Sequence, residues 1–402
     1  MAGATWVCAL GATTALACSS STGVASSATT GRTPAAGTTA TTSASRTPPR
    51  SAAARSAAAR SAAATATTST ATTSTARTSP GGSGVATWRG RPADASALPL
   101  DARHVSSAPR VGFVDSCVTT FAGGRGARVT GPWIDTATGT YDATTKPRVE
   151  GHVIWHDASH SFAVAGSTRT LKTNDLPEGE PTGTFPISTS DPVFAYTGNP
   201  DSIEPQSFDW SVPADPTLAK APSCTGLGAI GVAMDGVVIF DALDAEGRNA
   251  GAHEVLDACD GHPQAQDVYH YHVFTPCMTR ATTNKPGVSV LVGYALDGFG
   301  IYLQRDAHGN LPTDGDLDAC HGVVSTVTWN GRRVDMFHYD VTLTYPFTVG
   351  CFMGTPTRTA TGRPPVGAAL ERELAVCGAA SGTGRKSDPY EVRDAFVGTR
   401  AR

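Results

Sequence analysis

His262, His270 and His272 fall within eleven residues of one another, in the segment LDACDGHPQAQDVYHYHVFTPC that runs from Leu256 to Cys277. The chain has only eleven histidines and nine cysteines in 402 residues, so this segment, which also holds Cys259 and Cys277, concentrates the side chains best suited to metal ligation or covalent stapling. In a strand, side chains two apart share a face, so His270 and His272 present two imidazoles on one side and Tyr269 and Tyr271 on the other. His262 lies just before the loop into that strand, and a short antiparallel return brings it onto the same face. Three neutral imidazoles suit zinc, copper or iron and leave a position open for water or substrate. We expect copper or zinc ahead of iron. The competing reading is structural: Tyr and His are ordinary residues of half-buried strands, where backbone carbonyls or the carboxylates of Asp257, Asp260 or Asp267 can satisfy a histidine pair.

The elements that must position these side chains are strands and turns. Gly, Pro, Asp and Asn punctuate the chain every several residues, and long stretches with helical spacing are absent. In AIGVAMDGVVIFD, Ile230, Val232 and Met234 alternate, Asp235 and Gly236 form a two-residue loop, and Val237 and Ile239 resume, which predicts a β-hairpin. That unit recurs. GVAMDGVVIF at 231–240 is matched by GYALDGFGIY at 293–302, a shift of 62, and LDACDG at 256–261 by LDACHG at 317–322, a shift of 61. The region holds two copies of one β unit, about 226–280 and 288–354. His338 then matches His270 and Asp340 matches His272, so these two residues are candidates to complete the metal site or to orient a ligand if the copies pack around a pseudo-twofold axis. Duplication proposes disulfides Cys259–Cys277 and Cys320–Cys351, one in each copy, although a bridge between the copies satisfies the same symmetry.

The rest of the chain sets the context. Residues 1–80 carry six arginines and no Asp or Glu, so the remainder has a net charge of −10 against −4 for the whole. The segment 19–110 is rich in Ser, Thr, Ala, Arg and Pro and reads as a disordered tether that cannot bury enough apolar surface to offset its ordering entropy. Residues 1–18 read as a signal peptide, with Ala15, Leu16, Ala17 and Cys18 resembling a lipoprotein-type cleavage site and hence a lipid anchor at Cys18. No stretch approaches the ~20 apolar residues of a membrane span. In an exported chain the seven cysteines after Cys18 read as a disulfide framework with one left over. The acidic folded part has no basic, aromatic-interleaved strip, which argues against nucleic acid. The partner is instead an unidentified small molecule or surface ligand.

With the tetrapeptide Tyr269-His270-Tyr271-His272, the two G-x-A-x-DG hairpins, the LDAC-x-G pair, TLTYPFTVGCFMG at 342–354 and the upstream RTLKTNDLPEGEPTGTFP, the chain resembles the YHYH-domain family from about Gly112 to Cys377. The resemblance implies an exported protein and brings no activity that transfers to numbered residues, but the family's emphasis on this tetrapeptide strengthens the metal reading. Other patterns are weaker. His152, His156 and His160 follow a four-residue step in GHVIWHDASH, and LPEGEP and DGDLD bear carboxylates without the spaced oxygen set of an EF-hand. Serine-nucleophile and phosphate-loop motifs are missing. The sequence therefore predicts a mainly β, sandwich- or barrel-like domain at 111–380, with a tail at 381–402. Its function reads as transition-metal binding, against a non-catalytic, disulfide-stapled surface or structural module.

Overall fold

The computed structural model describes residues 85–101, 104–121 and 129–357. The signal segment, Cys18, residues 19–84 of the tether, Cys377 and the tail lie outside the described residues. In chain order the strands begin with five short ones: β1 Leu98–Pro99, β2 Val105–Ser106, β3 Val114–Asp115, β4 Ile134–Asp135 and β5 Thr140–Tyr141. Next come β6 His160–Ala165, β7 Thr168–Thr173 and β8 Phe208–Pro213. The first copy of the repeat supplies β9 Ala229–Ala233, β10 Val238–Phe240, the one-turn helix α1 Ala250–His253, β11 Gly261–Pro263 and β12 Tyr269–Tyr271. The second supplies β13 Ser289–Ala295, β14 Gly300–Gln304, β15 Gly322–Trp329 and β16 Arg332–Asp340.

The two copies form one open eight-stranded sheet in the order β11-β12-β10-β9-β13-β14-β16-β15. Read outward from its centre, each half repeats the same series: hairpin strand, hairpin strand, parallel partner, edge. The sequence duplication is therefore a pseudo-twofold in space, with its axis between β9 and β13, which pair antiparallel about Val232 and Tyr294. The two backbones meet closely there. A Cβ on Gly231 would lie 2.7 Å from the carbonyl oxygen of Tyr294, and one on Gly293 would lie 2.8 Å from that of Val232, which accounts for glycine at both positions. The mainly β expectation holds. Of its two alternatives the barrel is not realised, because the sheet does not close on itself.

A second sheet, β6-β7-β8, shares its core with the large one: Leu171, Phe208 and Trp210 are buried together with Ile230, Val232 and Ile301. At this junction the buried Arg169 guanidinium lies over the rings of Tyr294 and Trp329, at 4.2 and 5.0 Å from their centroids. All residues of β9, β10 and β14 are buried, so these hairpin strands are covered on both faces. Each fully buried Val or Ile there contributes about 1.5–3 kcal/mol. The hairpin loop also differs from expectation: Val238 pairs with Val232 and Ala233 donates to Val237, so Met234, Asp235 and Gly236 form a three-residue loop. Gly236 sits at φ 96° and Asp235 accepts the Val237 N–H, a turn closed by a side chain as well as by glycine.

Among the described residues, three disulfides staple the domain. Cys259–Cys277 and Cys320–Cys351 lie one in each copy, as the duplication proposed, and Cys117–Cys224 joins the segment after β3 to the approach to β9. The three-stranded sheet β1-β5-β4 forms a smaller core in which Leu98, Trp133 and Tyr141 pack with Ala252 and Val255. Trp133 donates from Nε1 to the Ala252 carbonyl at 2.8 Å, fixing the region of α1 that leads into the histidine cluster.

Candidate metal centre

The antiparallel pair β11–β12 sets His262 directly opposite His270. This is the short return expected from the sequence. His272 follows β12, and the alternation of the strand sends Tyr269 and Tyr271 into the main core while the histidines occupy the other face. Both tyrosines are bolted by carboxylates: Tyr269 donates to Asp257 at 2.8 Å and Tyr271 to Asp235 at 2.7 Å. The strand that carries the histidines is thus held from its opposite side.

Nδ1 of His272 lies 2.5 Å from the Asp241 carbonyl oxygen, and Nδ1 of His270 lies 3.1 Å from that of Val268. A carbonyl can only accept, so both Nδ1 atoms carry the proton, and in neutral imidazoles both Nε2 atoms then present lone pairs. Those two Nε2 atoms face each other at 3.1 Å. His262 points Nδ1 toward Glu254 Oε2 at 4.0 Å, while its Nε2 is buried with no hydrogen-bond partner. One ring nitrogen from each of the three histidines falls within 4.8 Å of the others. Two metal bonds of ~2.1 Å span at most ~4.2 Å, so the His270–His272 pair is already within reach of one ion, and His262 lies close enough to join them.

The electrostatics favour the ligating form. Burial holds the imidazole pKa of His262 and His270 well below the usual value, helped by repulsion among the rings, and burial lowers that of His272 to about 4. All three are neutral at neutral pH, so no proton bridges the facing lone pairs. Glu254, buried beside His262, is pushed up to about 8 by desolvation and stays largely protonated. Phe240 stacks on His270, with centroids 3.9 Å apart, and packs edge-on against His272, which holds the two rings in place. A buried pair of opposed acceptors and a third orphaned nitrogen form a set that a cation would satisfy, so the residues present fit a bound metal ion.

Other candidates are placed differently. His338 and Asp340 do not reach this cluster, and the expectation that they complete or orient it is corrected. Four strands lie between β12 and β16, a separation of about 24 Å at the usual strand spacing. His338 instead bonds Ser325 Oγ at 2.9 Å from Nε2, Asp340 accepts the Gln304 N–H at 3.1 Å, and His321 bonds Thr342 Oγ1. Nor do Asp257, Asp260 or Asp267 serve the histidines: they accept Tyr269, Arg148 and the Ser202 N–H respectively. Glu180 lies near Cys259 and Cys277, but those two sulfurs are bonded to each other. His160 pairs with Glu178, and His152 and His156 are exposed.

Sequence reasoning missed Glu254, Phe240 and the Asp241 carbonyl. Only Asn249, whose side chain caps α1 at Ala252, marks the local structure that delivers Glu254, and a one-turn helix is too short to show a period.

The sequence model of the YHYH protein family matches residues 209–311, from β8 through the first copy to the hairpin that opens the second. The match contains all three clustered histidines and stops short of His338 and Asp340. No curated protein and no solved structure matches the chain.

Proposed function

We propose that this chain, which carries the YHYH region at residues 209–311, is an exported protein that binds one transition-metal ion, copper or zinc, through His262, His270 and His272. The observation that carries the reading is the pair of Nε2 atoms opposed at 3.1 Å, each with its Nδ1 engaged by a carbonyl, beside the orphaned Nε2 of His262. An ion held by His262, His270 and His272 would supply a Lewis acid or, if copper, a centre for oxygen chemistry. The residues divide the remaining work. The carbonyls of Asp241 and Val268 set the tautomers, Phe240 holds the His270 and His272 rings by stacking and edge contact, and Glu254 lies 4.0 Å from the outer nitrogen of His262.

Export is supported by the three disulfides, which persist in oxidising compartments, and among the described residues no helix is long and apolar enough to cross a membrane. Of the tether expected over residues 19–110, the last part instead belongs to the fold, where β1 and β2 lie, and Cys18 is the position proposed for a lipid anchor.

Thermal unfolding with zinc or copper against chelator tests the reading. An ion at a hundred times its Kd adds about 2.7 kcal/mol, which raises Tm by roughly 5–10 °C for a domain of this size. His270→Gln and His272→Gln should abolish the shift while unfolding cooperatively. A wild type equally heat-stable with metal and with chelator contradicts the proposal.

A further inference from the structure

Beside the histidine cluster lies a cavity of about 450 Å³, a volume suited to a small organic molecule. Its walls come from three parts of the fold: Leu98 from the N-terminal layer, Leu256 and Phe274 from the first copy, and Leu343 from the second. Most of the lining is apolar, and three cations, Lys146, Arg148 and Arg305, and the carboxylate of Asp260 interrupt it. Lys146 lines the cavity and donates to the Gly251 carbonyl at 2.6 Å, and Arg305 lines it while donating to the carbonyls of Thr283 and Gly309. Carbonyls orient these groups without cancelling their charge.

Arg148, the third cation of the lining, is neutralised by Asp260 at 3.1 Å, whereas neither Lys146 nor Arg305 has a carboxylate within ion-pair distance among the described residues. Burial lowers the Lys146 ammonium to about 8, against the opposing pull of Asp260, which also lines the cavity. With three cations against the one carboxylate of Asp260, the lining keeps a net positive charge inside an apolar concavity, which is costly unless a ligand supplies the anion. Its presence in a domain whose overall charge is negative makes the pattern local rather than a reflection of composition.

We propose that this cavity binds a small organic carboxylate, its apolar body against Leu98, Leu256, Phe274 and Leu343 and its negative charge between Lys146 and Arg305. Val273, which follows His272, and Gly251, three residues before Glu254, both line the cavity, so the carboxylate sits beside the histidine cluster. The inference does not rest on metal binding, because the cations that recognise the anion belong to the cavity wall.

The test uses calorimetric titration of the chelator-treated protein with 4-phenylbutyrate and with its neutral amide, which has the same shape. Binding of the carboxylate at least tenfold tighter than the amide is expected. Lys146→Met and Arg305→Gln should each reduce that preference several-fold, and Leu343→Trp, at a half-exposed position of the lining, should block both probes. His270→Gln should leave carboxylate affinity unchanged, which separates this site from any metal-bound carboxylate. Equal affinity for the two probes, no binding of either at millimolar concentration, or unaltered binding in Leu343→Trp overturns the proposal. Should Lys146→Met fail to fold, Arg305→Gln and the two-probe comparison on wild type decide it.

Discussion

Replacing Tyr271 by Phe removes one hydroxyl from the strand that carries the histidines, and the structure fixes what that should cost. The Tyr271 hydroxyl donates to Asp235 Oδ2 at 2.7 Å, while Oδ1 of the same buried carboxyl keeps only the Val237 N–H at 3.1 Å. Leaving a buried acceptor without its partner costs about 1–3 kcal/mol. The loss should depend on pH. Burial raises the Asp235 pKa to about 7, above the ~3.9 of an unfolded aspartate. The stability linked to that raised pKa is fully present below pH ~4 and is lost as pH rises through about 7. The tyrosine hydroxyl stabilises the carboxylate and limits this loss, so its removal should cost about 1 kcal/mol at pH 5 and up to about 3 kcal/mol at pH 8. Urea unfolding at both pH values, with disulfides intact, reads the difference directly. The duplicate bolt is a control: Tyr339 donates to Asp297 at 2.6 Å and also accepts the Met353 N–H, so Tyr339→Phe should cost at least as much. A Tyr271→Phe variant within 0.5 kcal/mol of wild type at both pH values (roughly the noise of a surface substitution), or one that loses more at pH 5, refutes the reasoning.

Two further outcomes follow from the same architecture. Gly231→Ala and Gly293→Ala each push a methyl group to within 2.7–2.8 Å of a carbonyl oxygen across the pseudo-twofold, so each should destabilise the domain by about 2–3 kcal/mol, and by similar amounts, in thermal unfolding. The disulfides close separations of 18, 31 and 107 residues, so removing Cys259–Cys277, Cys320–Cys351 and Cys117–Cys224 as Ser pairs should cost in rising order about 3, 4 and 5 kcal/mol. Denaturation midpoints in the reverse order would contradict the chain-entropy account.

The duplicated hairpins, the internal disulfide of each copy and the convergence of His262 with His270 and His272 were legible because they depend on local spacing: two-residue alternation, a constant offset and a short return. Where the copies meet was not. Matching GVAMDG to GYALDG reveals that two units exist, but the contact between β9 and β13 depends on glycines that read equally well as turn or bulge residues. That axis sends His338 and Asp340 to the far wing of the sheet, which is why copying the histidine positions onto the second unit assigned them to the wrong place. The alternation of Ile230 and Val232 likewise marked a strand but not its burial, and only the packing of β6–β8 and the loops reveals both of its faces to be covered. Cys117–Cys224 and Glu254 were silent for the same reason: each acts on a partner that only the folded chain brings near.

The central claim is that opposed neutral imidazoles at His270 and His272, joined by His262, hold a metal ion. Elemental analysis of untagged protein, purified without a metal-affinity column, incubated with zinc and copper and desalted, tests it most directly. The account predicts about one ion per chain in wild type, from one ion per three-histidine site, and a loss of at least tenfold in His272→Gln with its disulfides and cooperative unfolding retained. A metal-free wild type, or an equal metal content in His272→Gln, would contradict it.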